Sequence, residues 1–192
     1  MNGSITFGGV GADDLQGVLD RLRRLEDRTE IEELMHRYAD GVRRGSAEAM
    51  AACFSDDASI EYGHGGTWHG REQILDYFSR ALDRAARDTP LSLDDRRAST
   101  PVVSNLRIEL DGDAARCEST VLAIHAGSSG EGESVVVRGT RNVDDVVRTT
   151  AGWRIRRRVH STDWQFADGR TGAGHCEYHD LMESGRPVGL AD

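Results

Sequence analysis

Apolar residues return at three- and four-residue steps from Asp13 onward, and Leu15, Val18, Leu19, Leu22 and Leu25 form one stripe of an amphipathic helix. Asp27 or Thr29 stands where a cap would open a second helix, with Ile31, Leu34, Met35 and Tyr38 on its buried face and Gly45 ending it. Ser46 opens a short third helix, Ala47 to Phe54, with Met50 and Phe54 inward. Ser55-Asp56-Asp57 reads as a turn. Ala58 to Tyr62 alternates as a strand, and Gly63-His64-Gly65-Gly66 makes a tight hairpin loop. Gly70 to Arg87 carries the helical period again through Ile74, Leu75, Tyr77, Phe78 and Leu82, with its arginines and aspartates on a solvated face.

After a polar loop, Asp88 to Thr100, the period changes from helical to strand-like. Val102 to Leu110, Ala114 to Ala126, Ser134 to Arg148 and Trp153 to Phe166 are long strands joined by short turns, which predicts an antiparallel meander. Helices first and a curved, largely antiparallel sheet after is an α+β plan in which the helices close one face of the sheet. The predicted organisation is a frayed Gly-rich tail over 1–12, one domain over 13–167 and an irregular tail over 168–192. Successive strand side chains alternate between faces, so Cys117, Ser119, Val121, Ala123 and His125 share one face of their strand. That set is small, with one titratable group at its end, and suits a cavity wall. The opposite face, from Arg116 and Glu118 to Leu122 and Ile124, suits an interface between two copies.

Composition narrows the partners. The 192 residues carry a net charge of −9, and every basic residue is arginine. An acidic chain lacks the basic surface that phosphate backbones require, so no nucleic acid is expected. No run of about 18 apolar residues exists, so no membrane span is expected. The N-terminus shows no secretory signal, and three scattered cysteines (Cys53, Cys117, Cys176) suit a reducing cytoplasm. The predicted ligand is a small molecule.

The series Leu25-Glu26-Asp27-Arg28, Ile31-Glu32-Glu33-Leu34, Tyr38-Ala39-Asp40, Phe54-Ser55-Asp56-Asp57-Ala58 and Trp68-His69-Gly70-Arg71 resembles the SnoaL-like branch of the NTF2-like superfamily. Ser104-Asn105-Leu106-Arg107-Ile108-Glu109 and Gly152-Trp153-Arg154-Ile155 resemble the strand signatures of the same family. The resemblance implies a cone-shaped α+β fold, and functions that range from dehydratases, isomerases and polyketide cyclases to non-catalytic subunits. By register, the aspartate and histidine of the dehydratase dyad fall at Arg43 and Pro101, so that dyad is replaced here. Tyr62, His125 and Asn142 match pocket positions of scytalone dehydratase, and Tyr38 matches a helix tyrosine of the bile-acid dehydratase.

A tyrosine hydroxyl donates to a ketone oxygen and stabilises the enolate forming beside it, which gives Tyr38 and Tyr62 a role. His125 carries the proton, since an imidazole titrates near working pH. Each tyrosine can equally be a core residue with its hydroxyl satisfied, and for His125 the alternative to lining a pocket is a structural histidine. Asn142, His64, Trp68 and Arg157 are candidate substrate contacts; Arg157 shares parity with Trp153 and Ile155, which would turn it inward. Asp40 lies about 200° round the helix from Tyr38, which suits the helix surface.

The cluster His175-Cys176-Glu177-Tyr178-His179 has an i, i+4 histidine pair but no third ligand, so neither metal nor other cofactor is expected. Gly63-His64-Gly65-Gly66 is no phosphate loop, and no nucleophile elbow is present. The leading expectation is a cofactor-independent lyase or isomerase acting by proton transfer on a small, mostly apolar carbonyl compound. The alternative is a non-catalytic binding or structural subunit, as in dioxygenase β subunits. Homodimerisation through the outer sheet face is expected under both.

Overall fold

No proline or glycine separates Leu25 from Ile31, and the two predicted helices are one. In the computed structural model, which describes residues 12–63, 66–87, 98–129 and 132–167, helix α1 runs unbroken over Ala12–Arg44. The two expected caps do other work. Thr29 Oγ1 donates back to the Leu25 carbonyl at 3.1 Å, and the Asp27 carboxylate accepts from Trp153 Nε1 at 3.3 Å and from Arg148. Gly45, at φ 63°, ends the helix in the left-handed region that glycine enters at no steric cost. Ser46 then caps α2 (Ala47–Ala51), accepting from the Ala49 amide at 3.2 Å.

The predicted third helix stops at Ala51, because Phe54 already belongs to a strand, β1 (Phe54–Tyr62). Ser55, Asp56 and Asp57 are absorbed into that strand rather than turning the chain. The Ile155 amide donates to the Cys53 carbonyl at 2.9 Å, and the register against the last strand shifts between Phe54 and Ser59, so the polar trio forms a bulged stretch. A short partner, β2 (Gly66–His69), folds back on β1, and α3 (Arg71–Arg87) follows. Then come β3 (Ala98–Asp111), β4 (Ala114–Ser129), β5 (Gly132–Thr149) and β6 (Gly152–Ala167), close to the predicted spans.

The six strands form one curved sheet in the order β2-β1-β6-β5-β4-β3. All neighbours are antiparallel except β1 and β6, which run parallel and so join the N-terminal hairpin to the meander. The three helices pack on one face. Ile31 and Leu34 of α1, Ile74 and Phe78 of α3, and Phe54, Ile60, Val146, Trp153 and Ile155 of the sheet are sealed in the core between them. Fully burying such side chains is worth roughly 1.5–3 kcal/mol each. The first turns of α1 gain nothing of that kind from the described chain. Leu15, Val18, Leu19, Leu22 and Leu25 are exposed, Leu25 by 62%, so the predicted buried stripe faces outward where the helix overhangs the sheet.

Two bulges on β6 decide which side chains face the helices. Asp145 pairs with Arg157 and Val146 with Ile155, so Arg156 is an extra residue; likewise Gly139 pairs with Trp164 and Thr140 with Thr162, so Asp163 is extra. The inward rungs that result are Asp144–Arg158, Asn142–His160, Thr140–Thr162 and Arg138–Gln165. Residues 1–11, 64–65 and 168–192 lie outside the described residues, and with them His64, the 175–179 cluster and the predicted tails apart from Ala12, which opens α1.

Candidate active site

Helices and sheet leave a cavity of about 390 Å³ between them. The inward face of α1 supplies Met35, Tyr38, Ala39 and Val42, and α3 supplies Tyr77 and Phe78. The sheet supplies Pro101 and Val103 from β3, Ser119, Val121, Ala123 and His125 from β4, Arg138, Thr140 and Asn142 from β5, and Arg158, His160 and Thr162 from β6. No aspartate or glutamate is among these lining residues. The small-residue face predicted for β4 is therefore a cavity wall.

Tyr38 and Tyr62 meet at the inner end, their hydroxyl oxygens 3.3 Å apart. One phenol donates to the other, which leaves a second O–H to point elsewhere. Burial, reinforced by the neighbouring Tyr38, pushes the Tyr62 phenol well above its ordinary range, so it stays a donor at any working pH. Arg158 lies behind the pair, its guanidinium carbon 4.2 Å from the centroid of the Tyr38 ring. It is 1% exposed and grips Asp144 with two hydrogen bonds of 2.7 and 2.8 Å. Burial opposes its charge, but the Asp144 carboxylate more than offsets that, and the pKa is raised. Its Nη1 is buried and has no hydrogen-bond partner among the described residues. A buried N–H left unpaired is costly.

His160 completes the group. Its ring centroid lies 4.5 Å from that of Tyr62, and Nδ1 is 2.8 Å from Asn142 Oδ1. Facing an amide oxygen, Nδ1 carries the proton and donates, and Nε2 keeps its lone pair. Burial and then the Arg158 charge lower its pKa to about 4, so the imidazole is neutral at pH 7. A second hollow of about 420 Å³ opens on the other side of Tyr62, Tyr77 and His160, walled also by Trp68, Asp76, Arg80 and Arg84. Trp68 stacks on Tyr77 there, with ring centroids 3.8 Å apart.

Of the residues singled out in the sequence, Tyr38, Tyr62 and Asn142 are brought together, and His125 is on the same cavity wall farther along β4. Trp68 faces the outer hollow. Pro101 is on the cavity wall, whereas Arg43 is on the solvent side of α1, bound to Asp40 at 2.6 Å. Arg157 is a correction. The bulge at Arg156 reverses the parity beyond Ile155, so Arg157 turns outward, half-exposed, between Glu61 and Asp145 at 3.7 and 3.9 Å. Arg158 takes the inward place. Sequence reading missed Arg158 and passed over His160; the signal available was Asn142, Asp144 and Val146 at alternate positions, an inward row holding a carboxylate that demands a buried cation. Cys117, buried beside Asp144, has its thiol pushed up to about 12, which leaves it inert. Among the described residues no group of three metal-ligating side chains converges, and no helix is long and apolar enough to cross a membrane.

A curved mixed sheet closed by helices over a cavity at its open end is the NTF2-like, cystatin-like architecture. Residues 23–159 match the SnoaL-like domain, and the chain belongs to that family. An uncharacterised protein of Mycobacterium tuberculosis, Rv2910c, is 29% identical over 154 residues, spanning 77% of this chain and 96% of its own. An NTF2-like protein with a cystatin-like fold from Novosphingobium aromaticivorans superposes with a TM-score of 0.64 at 28% identity, covering 79% of this chain and 92% of that one. A candidate scytalone dehydratase from the same organism superposes with a TM-score of 0.61 at 21% identity, covering 88% and 97%, a likeness of fold.

Proposed function

We propose that the protein is a cofactor-independent enzyme, a lyase or isomerase, that moves a proton next to the carbonyl of a small, mostly apolar compound. The observation that carries this reading is the Tyr38–Tyr62 hydroxyl pair in an apolar cavity, with the Arg158 charge against the Tyr38 ring. In that place a carbonyl oxygen accepts from a phenol, and the guanidinium charge lies against the Tyr38 ring. His160 Nε2, or His125 for a substrate seated farther out, takes the proton from the adjacent carbon. The electron pair of the broken C–H bond becomes the C=C of an enolate, and the charge arrives on the oxygen where the donors wait. The oxyanion in turn favours the imidazolium, which offsets the low resting basicity of His160. Return of the proton to another carbon is isomerisation; its transfer from the imidazolium to a β-hydroxyl, which leaves as water as the enolate collapses to the conjugated C=C, is dehydration. Asn142 holds the His160 tautomer. Support also comes from the candidate scytalone dehydratase among the structural neighbours.

The cavity is open rather than filled by side chains, which favours this reading over a purely structural subunit. Homodimerisation through the outer sheet face, where Val102 is exposed beside Leu122, belongs to the same proposal. The test is exchange of the α-hydrogens of 2-tetralone with D2O, followed by proton NMR. Exchange is expected above the buffer rate; Tyr38→Phe and Tyr62→Phe are each expected to slow it roughly tenfold or more, and so is whichever of His160→Gln and His125→Ala removes the base that serves this ketone. Exchange at full rate in all four variants, or none in the wild type with 2-tetralone and other cyclic ketones, overturns it.

A further inference from the structure

The charge balance of the cavity is uneven. Arg158 is matched by Asp144, and no carboxylate is among the lining residues. Arg138, on the same face of β5, is not matched. Its Nε donates to the neutral amide of Gln165 at 2.6 Å, and no acidic side chain pairs with it among the described residues. Burial lowers its pKa, the sign of a cation held in apolar surroundings without a counter-ion. A half-buried guanidinium without a carboxylate partner is a ready seat for an anion, and its planar fork fits a carboxylate through two parallel hydrogen bonds. Arg138 and Asn142 are four residues apart on one strand, roughly 13 Å along it at ~3.3 Å per residue. An anion seated at Arg138 thus leaves the rest of a one- or two-ring molecule extending toward the tyrosine pair. We infer that Arg138 is the subsite for a carboxylate, so the substrates are carbonyl compounds bearing an acid group at the end remote from the reacting oxygen. This rests on the reading of the cavity given above, but binding alone tests it, so that failure of the catalytic reading and failure of this one are separable.

The probes are 2-naphthoate and 2-naphthamide, equal in shape and different in charge, titrated calorimetrically into the full chain. The wild type is expected to bind the acid at least tenfold more tightly than the amide. Arg138→Gln is expected to erase that preference while leaving affinity for the amide within twofold, and Arg138→Lys to restore part of it, since the charge returns without the fork. Equal affinities in the wild type, a preference that survives Arg138→Gln, or no binding of either compound up to millimolar concentration overturns the inference. Ketone exchange that persists beside any of these results leaves the catalytic reading standing, and a charge preference without exchange does the reverse.

Discussion

Arg158 and Asp144 are each 1% exposed, and neither tolerates the loss of the other. Removing one member of a buried pair strands the remaining charge, at about 3–5 kcal/mol. Asp144→Asn is accordingly expected to lower the urea midpoint by that equivalent, and Asp144→Leu combined with Arg158→Met to regain most of it while ketone exchange stays lost. His160 adds a pH dependence. Its pKa falls from about 6.5 unfolded to about 4 in the fold, so as pH drops the unfolded chain takes up the proton first. The contribution is complete above pH ~6.5 and is lost progressively as the pH falls through about 4, some 3 kcal/mol in all at ~1.36 kcal/mol per unit. Thermal melts between pH 7 and 4.5 are expected to fall more steeply for the wild type than for His160→Gln; parallel curves contradict the assignment.

At the scale of elements, the meander was legible because period-two alternation and the short turns at Gly112 and Gly152 fix strand ends and faces locally. The Gly45–Ser46 junction was legible for the same reason, since cap chemistry is local. The junction near Asp27 was not, because capping residues also occur inside helices when tertiary partners claim them, as Trp153 and Arg148 claim Asp27. Bulges were invisible too; an extra residue in a strand leaves no compositional mark at Arg156 or Asp163. Gly139 is a partial exception. A Cβ there would fall 2.2 Å from Nε1 of the Trp164 ring that covers it across the strand pair. Gly139→Ala is expected to cost about 1–3 kcal/mol by overpacking, and Trp164→Ala in the same chain to relieve it, as read from chemical denaturation.

For the whole molecule, the helix layer is held to the sheet by the core around Ile31 and Leu34 and by polar ties, among them the Arg28 guanidinium on the Ile108 carbonyl at 2.9 Å. Another such tie is Asp27, whose carboxylate meets the indole N–H of Trp153, itself 1% exposed, and the guanidinium of Arg148. Asp27→Ala leaves that indole unpaired and is expected to lower stability by about 1–3 kcal/mol, measurable as a drop in melting temperature. The two tyrosines of the site were reached through family resemblance, but the cation behind them depends on strand register, a property of the assembled sheet. Strand β6 thus works as a selector set by its register: were the bulge at Arg156 ironed out with every residue kept, plain alternation from Ile155 would turn Arg157 inward and Arg158 outward, with every functional side chain still present. A slip of one residue in the last strand is a route to different chemistry that no tally of active-site letters would notice.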